Sequence, residues 1–123
     1  MAVTRFNIHN PEGGLTRTLG PGVETELFWG KHVMLSALSM SANAASEPHH
    51  HEEEQWVFLV EGAGVLIVGQ EELDLEQGDV CHIPAGMMHN FIAGPAGARI
   101  LDIFGPPREA YKEPGGRGFS SAS

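Results

Sequence analysis

Between Thr25 and Phe104 the chain is a succession of short apolar or β-branched runs, each stopped by glycine, proline or a polar turn. The runs are Thr25–Trp29, Val33–Ser41, Gln55–Val60, Gly64–Val68, Glu72–Leu75, Asp79–Ile83, His89–Ile92 and Ala98–Phe104. No long segment with a 3.6-residue apolar period competes with them. Eight short strands with tight connections and little or no helix predict an all-β sandwich or barrel, which avoids open strand edges by closing or doubling its sheets.

At 123 residues the chain has the size of one domain with one core. Residues 1–24 read as an N-terminal arm with one possible edge strand, 25–112 as the barrel, and 113–123 as a flexible, glycine- and serine-rich tail. The single cysteine, Cys81, excludes an intramolecular disulfide framework and fits a reducing, cytoplasmic setting. Residues 1–10 lack the pattern of an export signal, and no run reaches the ~18 apolar residues of a membrane span. Sixteen acids against seven bases, a formal charge of -9, argue against nucleic acid as a partner. An anionic substrate would need locally placed positive charge.

Six consecutive positions, His49 to Glu54, hold three histidines and three glutamates and lead directly into an apolar strand. Strand alternation puts His49, His51, Glu53, Gln55, Val57 and Leu59 on one face and His50, Glu52, Glu54, Trp56 and Phe58 on the other. Two imidazoles on one face can share a divalent ion, provided further ligands come from elsewhere. His89 is the next candidate, because the strand and Pro84–Gly86 turn before it can return its imidazole to the first two. The bland reading is a solvated His-rich loop, with Glu52–Glu54, His9, His32, His50 and His82 as surface groups and Met87 and Met88 as pocket wall or core.

These residues resemble the motifs of the small single-domain cupins, the cupin 2 conserved barrel family. His49-x-His51, Gln55 and Gly62 fall on the first motif, and Gly78, Pro84, Gly86 and His89 on the second, with residues 63–77 between them. The resemblance spans roughly Gly30 to Phe104. It implies a cupin jelly-roll β-barrel holding one divalent ion, zinc, nickel, iron, manganese or copper, on His49, His51, Gln55 and His89. Two departures stand out. Asn43 lies where the first motif opens with glycine, six residues before His49. Gln55 replaces the usual glutamate, and a neutral amide leaves the ion's full charge to attract an anion and polarise its oxygens.

In the last run, alternation groups Ile100, Asp102 and Phe104. If that face is the barrel interior, Asp102 is a buried carboxylate beside the metal, where burial and the cation pull its pKa in opposite directions. If it faces outward, Asp102 pairs with Arg99 or Lys31 and Arg108 is exposed. An inward Asp102 can move a proton near neutral pH, and Arg108, after Gly105-Pro106-Pro107, can fold over the mouth to grip a carboxylate. Together with the histidine motifs, Asp102, Phe104 and Arg108 resemble the cupins related to the pectin-degradation protein KdgF, which open 4,5-unsaturated uronates to linear keto sugars. That resemblance implies Asp102 as acid/base, Arg108 as the sugar carboxylate's partner and Phe104 as an apolar wall. A metal-dependent oxygenase and a non-catalytic binding module are the alternatives. The outward row of Trp56, Phe58 and Val60 is too apolar for a solvated strand and should face either the second sheet's flank or a partner subunit, and the resemblance implies a homodimer.

Overall fold

The computed structural model describes residues 4–113. It contains β1 (Leu15–Gly20), β2 (Val23–Trp29), β3 (Met34–Met40), β4 (Glu54–Val68), β5 (Glu71–Glu76), β6 (Val80–Ile83), β7 (His89–Gly105) and a short helix α1 (Glu109–Lys112). All strand pairs are antiparallel, in the order β1-β2-β3-β7-β4-β5, and β6 pairs with β4. This is the all-β jelly roll expected from the punctuated runs. The possible edge strand of the arm is β1, paired along β2. The tail expected to be flexible lies outside the described residues, except for Glu113.

Eight runs become six strands, with β1 of the arm the seventh, because two glycine-marked interruptions are bends inside continuous strands. The runs Gln55–Val60 and Gly64–Val68 are two halves of β4, and His89–Ile92 and Ala98–Phe104 are two halves of β7. Their mutual register shifts between Leu59 and Glu61 and again between Gly62 and Gly64. Gly62 has φ 88°, and a Cβ there would lie 2.3 Å from the Gly97 carbonyl oxygen. Any side chain would force β4 and β7 apart at the bend. β6 pairs with Gln55–Phe58 of β4, whereas β5 pairs with Ala63–Val68, so each half serves a different part of the barrel.

Inward positions alternate as the pattern predicts. Val57, Leu59, Ile100 and Phe104 are buried, while Phe58, Val60, Leu101 and Ile103 are half-buried on the other face. Burying each large apolar side chain contributes roughly 1.5–3 kcal/mol. Two cross-strand rows on the inner face matter for function. Met34, Phe104, Gln55 and Ile83 face one another across β3, β7, β4 and β6, and Ser36, Asp102, Val57 and Cys81 form the neighbouring row. Met87 and Met88, expected as wall or core, are exposed instead, because the Pro84–Met88 turn projects beyond the sheet. Among the described residues, no helix is long and apolar enough to cross a membrane.

Candidate metal centre

The segment before β4 is fixed to the start of β7 by backbone bonds. His49 and His89 each donate N–H to the other's carbonyl, at 3.0 and 2.9 Å, and Ser46 N–H donates to Phe91 O at 3.0 Å. Ser46 Oγ also accepts the Phe91 N–H at 2.9 Å. The Pro84–Gly86 turn holds the other side: Gly86, with φ 78°, donates its N–H to His51 O at 2.8 Å. Asn43, at the motif's missing glycine, has φ 59°, so an asparagine adopts the left-handed conformation a glycine would take.

These tethers bring His49, His51 and His89 together, all buried, with one nitrogen from each within 4.8 Å of the others. Every Nδ1 is taken by a carbonyl two residues away: His49 by Glu47 O at 2.9 Å, His51 by Glu53 O at 2.9 Å and His89 by Met87 O at 2.8 Å. A carbonyl accepts only, so each Nδ1 carries the proton and each Nε2 offers a lone pair. His89 Nε2 has no hydrogen-bond partner. Burial holds the His49 pKa down at about 3, helped by the His89 ring, and the His51 pKa at about 4, helped by Arg108. Burial lowers that of His89 as well. Three neutral imidazoles with convergent lone pairs suit a divalent ion, since their outer nitrogens are already oriented by backbone acceptors.

Gln55 extends the set. Its Oε1 lies 3.1 Å from His51 Nε2, and its Nε2 donates to Asp102 Oδ1 at 2.9 Å. With His51 protonated on Nδ1, Oε1 and Nε2 are two acceptors side by side. Their spacing matches the ~3 Å expected of neighbouring ligands each about 2.1 Å from one ion. The amide therefore faces oxygen toward the histidines and N–H toward Asp102.

Asp102 faces inward, so the outward alternative with Arg99 or Lys31 does not occur. Burial pushes its pKa up to about 7 against the opposing pull of the Gln55 hydrogen bond and Arg108. Arg108 is buried, its guanidinium carbon 4.1 Å from the Tyr111 ring centre and 5.8 Å from that of Phe104. Arg108 Nε and Nη1 have no hydrogen-bond partner. The buried Phe104 ring lies 5.6 Å from that of His51. His49, Gln55, His89, Asp102, Phe104 and Tyr111 line one cavity of ≈ 30 Å³ with apolar core residues.

The glutamates divide. Glu52 and Glu54 are exposed, but Glu53 is largely buried, its Oε1 3.6 Å from His51 Nδ1 and 3.9 Å from Arg108 Nε. Its shared parity with His51 is the sequence signal for this placement, against the usual tendency of carboxylates to stay in water. Tyr111 carried no signal, since it follows the last strand in a turn whose direction the sequence does not give.

Residues 38–104 match the family described as Cupin domain. The chain belongs to the cupin family. The structure of KdgF from Halomonas sp. is similar to this cupin with a TM-score of 0.76 at 24% identity, covering 88% of this chain and 97% of that one. Bacillus subtilis oxalate decarboxylase, in a structure concerned with its Mn(II) centres, superposes with a TM-score of 0.72 at 19% identity over 80% of this chain and 29% of its own. An acireductone dioxygenase from Synechococcus sp. is 32% identical over 101 residues, 68% of this cupin. The chain spans about half, 54%, of that relative's length. The fold is thus common ground with the solved structures; the relatives' names diverge in chemistry.

Proposed function

We propose that this cupin is a metal-dependent enzyme that opens or isomerises a small carboxylated sugar or keto acid, with 4,5-unsaturated uronates as the lead substrate class. The observation that carries this reading is the bridge from His51 through Gln55 to Asp102, at 3.1 and 2.9 Å, which sets a protonatable carboxylate beside three convergent imidazoles. His49, His51, Gln55 and His89 would hold one divalent ion, which supplies Lewis-acid polarisation and positive charge for an anion.

The remaining steps fall to the chain's own groups. Opening an unsaturated uronate breaks the bond from C1 to the ring oxygen as the C1 hydroxyl proton is removed, leaving an aldehyde at C1 and an enolate across C4 and C5, and return of that one proton to C4 gives the ketone at C5. Atoms balance without a co-reactant. One group that accepts a proton and then returns it suffices, and a carboxyl whose pKa is raised to about 7 is matched to both roles near neutral pH. Gln55 orients that carboxyl through Oδ1. Arg108, whose Nε and Nη1 make no hydrogen bond and whose Nε has the Glu53 carboxylate 3.9 Å away, is the candidate clamp for the substrate carboxylate, which would satisfy those buried donors. Phe104 provides an apolar wall that keeps water from the reacting carbons.

The deciding assay is elemental analysis of the purified protein, followed by ultraviolet absorbance with unsaturated galacturonate. Loss of the enol-ether band at stoichiometric metal is expected; an unchanged band would overturn the substrate class. The acireductone dioxygenase relative favours a second reading, an oxygen-using metalloenzyme. Oxygen uptake by the iron-loaded protein with candidate diols would establish it, and Gln55 weighs against it because a neutral amide stabilises higher-valent iron less than a carboxylate. A non-catalytic binding module would retain a tightly bound ligand unchanged. We also assign the outward face of Trp56, which is 44% exposed, with half-buried Phe58 and Val60, to contact with a second copy of the chain. A dimer mass in light scattering at micromolar concentration is expected, and a monomer mass would refute the contact.

A further inference from the structure

Arg17 lies outside every motif discussed so far. In Leu15-Thr16-Arg17-Thr18-Leu19 alternation places it between two leucines on the inner face of β1, opposite Thr25 of β2. It is only 8% exposed. A buried guanidinium on an apolar face is costly unless its donors are satisfied. Its Nη1 donates to Tyr111 O at 2.8 Å and also to Glu113 O. Both acceptors belong to the end of α1, where helical carbonyls lose their internal partners and a cation is favoured. Tyr111 N–H in turn donates to Arg108 O at 3.1 Å, and the Tyr111 ring stacks on the Arg108 guanidinium at 4.1 Å.

From this chain of contacts we infer that Arg17 is a positioning residue for substrate recognition: by holding the Tyr111 backbone, it seats the ring on which the Arg108 guanidinium rests. The N-terminal strand thereby takes part in the site without reaching it. The role rests on Arg108 being the carboxylate clamp proposed above. No metal-ligating candidate touches Arg17, so metal content is independent of it. Lys112, 5.1 Å above the Trp29 ring and paired with Glu109 at 2.7 Å, gives the same turn a weaker, partly exposed hold.

The test uses the full-length, metal-loaded protein, with Arg17→Met removing the donors but keeping an apolar stem. Binding of saturated D-galacturonate, an unreactive carboxylated sugar, is measured by calorimetry for the wild type, Arg17→Met, Arg108→Met and the double variant. Arg17→Met is expected to weaken binding about tenfold, the scale of a misplaced charge-assisted hydrogen bond, with metal stoichiometry unchanged. The double variant should bind no more weakly than Arg108→Met alone, because the two act through one contact. Full additivity, or unaltered binding in Arg17→Met, overturns the inference. If Arg17→Met does not fold, Arg17→Lys decides: lysine keeps the charge but ends one bond short of the Nη1 that donates to both carbonyls, so an intermediate loss is expected and wild-type affinity is the contrary result. Tyr111 is the chain's single tyrosine, so fluorotyrosine labelling gives one 19F resonance that reports the seat directly. If the wild type does not bind galacturonate, the clamp reading fails, and a displaced resonance in Arg17→Met or Arg17→Lys still establishes that Arg17 seats the turn. An unmoved resonance overturns that as well.

Discussion

The two sides of the site are held by different means. The histidine side is fixed by backbone: reciprocal His49–His89 bonds, Ser46 on Phe91, Gly86 on His51, and a carbonyl on each Nδ1. The Arg108–Tyr111 side is held by long side chains, Arg17 from β1 and the stacked guanidinium above it. Backbone tethers survive side-chain substitution, whereas a turn pinned by two arginines moves when either changes. On the proposed reading, the first arrangement would preserve the geometry of the three imidazoles and the second would let specificity change without disturbing them.

Removal of one imidazole should have the largest effect and should remain chemical. His89→Ala leaves the strand bonds in place, so circular dichroism stays native while metal affinity falls by more than about 100-fold, the upper range for loss of even an outer contact. Stoichiometric metal in that variant, measured by elemental analysis, would contradict histidine ligation.

Asp102→Asn sits at the seam between the sides. Asparagine still offers Gln55 an acceptor, so geometry and metal are expected to persist while turnover falls by about 10²- to 10⁴-fold. Normal turnover would remove Asp102 from the acid/base role. Arg108→Met, on the side-chain-held half, should raise KM about tenfold or more with a smaller change in kcat and no change in metal content. A pure kcat loss would place Arg108 in the chemical step instead.

The smallest effect is one of pH. Histidines with pKa values lowered to about 3 and 4 stay neutral when folded but protonate when unfolded near 6.5. Between those values the unfolded chain binds more protons, so the metal-free protein is fully stable against this linkage above about pH 6.5 and loses stability as the pH falls toward 4. Asp102, raised to about 7, acts in the opposite direction between its ordinary value of 3.8 and 7. Three histidines outweigh one carboxyl, and a melting temperature lower by several degrees at pH 5 than at pH 7 is expected. Asp102→Asn should steepen that decline. A melting temperature that rises on acidification would show that the imidazoles are not buried neutral.

Much of the histidine side is legible in the chain. His49, His51 and Gln55 lie two and four residues apart in an extended segment, and a period of two places them on one face in any sheet that buries Val57 and Leu59. The same parity groups Asp102 with Ile100 and Phe104. The bends were not legible as bends, because a glycine that ends a strand and one that kinks it look alike until the partner strand's backbone is seen at Gly62 and Gly97. Glu53 shows a related limit: parity turns it inward, but only the closeness of His51 and Arg108 makes a largely buried carboxylate tolerable.

The sequence by itself determined the all-β fold and which residues share a strand face, His49 with His51 and Gln55 and Asp102 with Phe104, since these follow from local periodicity and turn chemistry. Only the tertiary structure decided that Asp102 shares its face with Gln55, that Tyr111 lies beneath Arg108 and that Arg17 reaches the carbonyls 94 and 96 residues away. Those contacts depend on strand register and on the path of a turn, quantities set by the packing of the whole barrel.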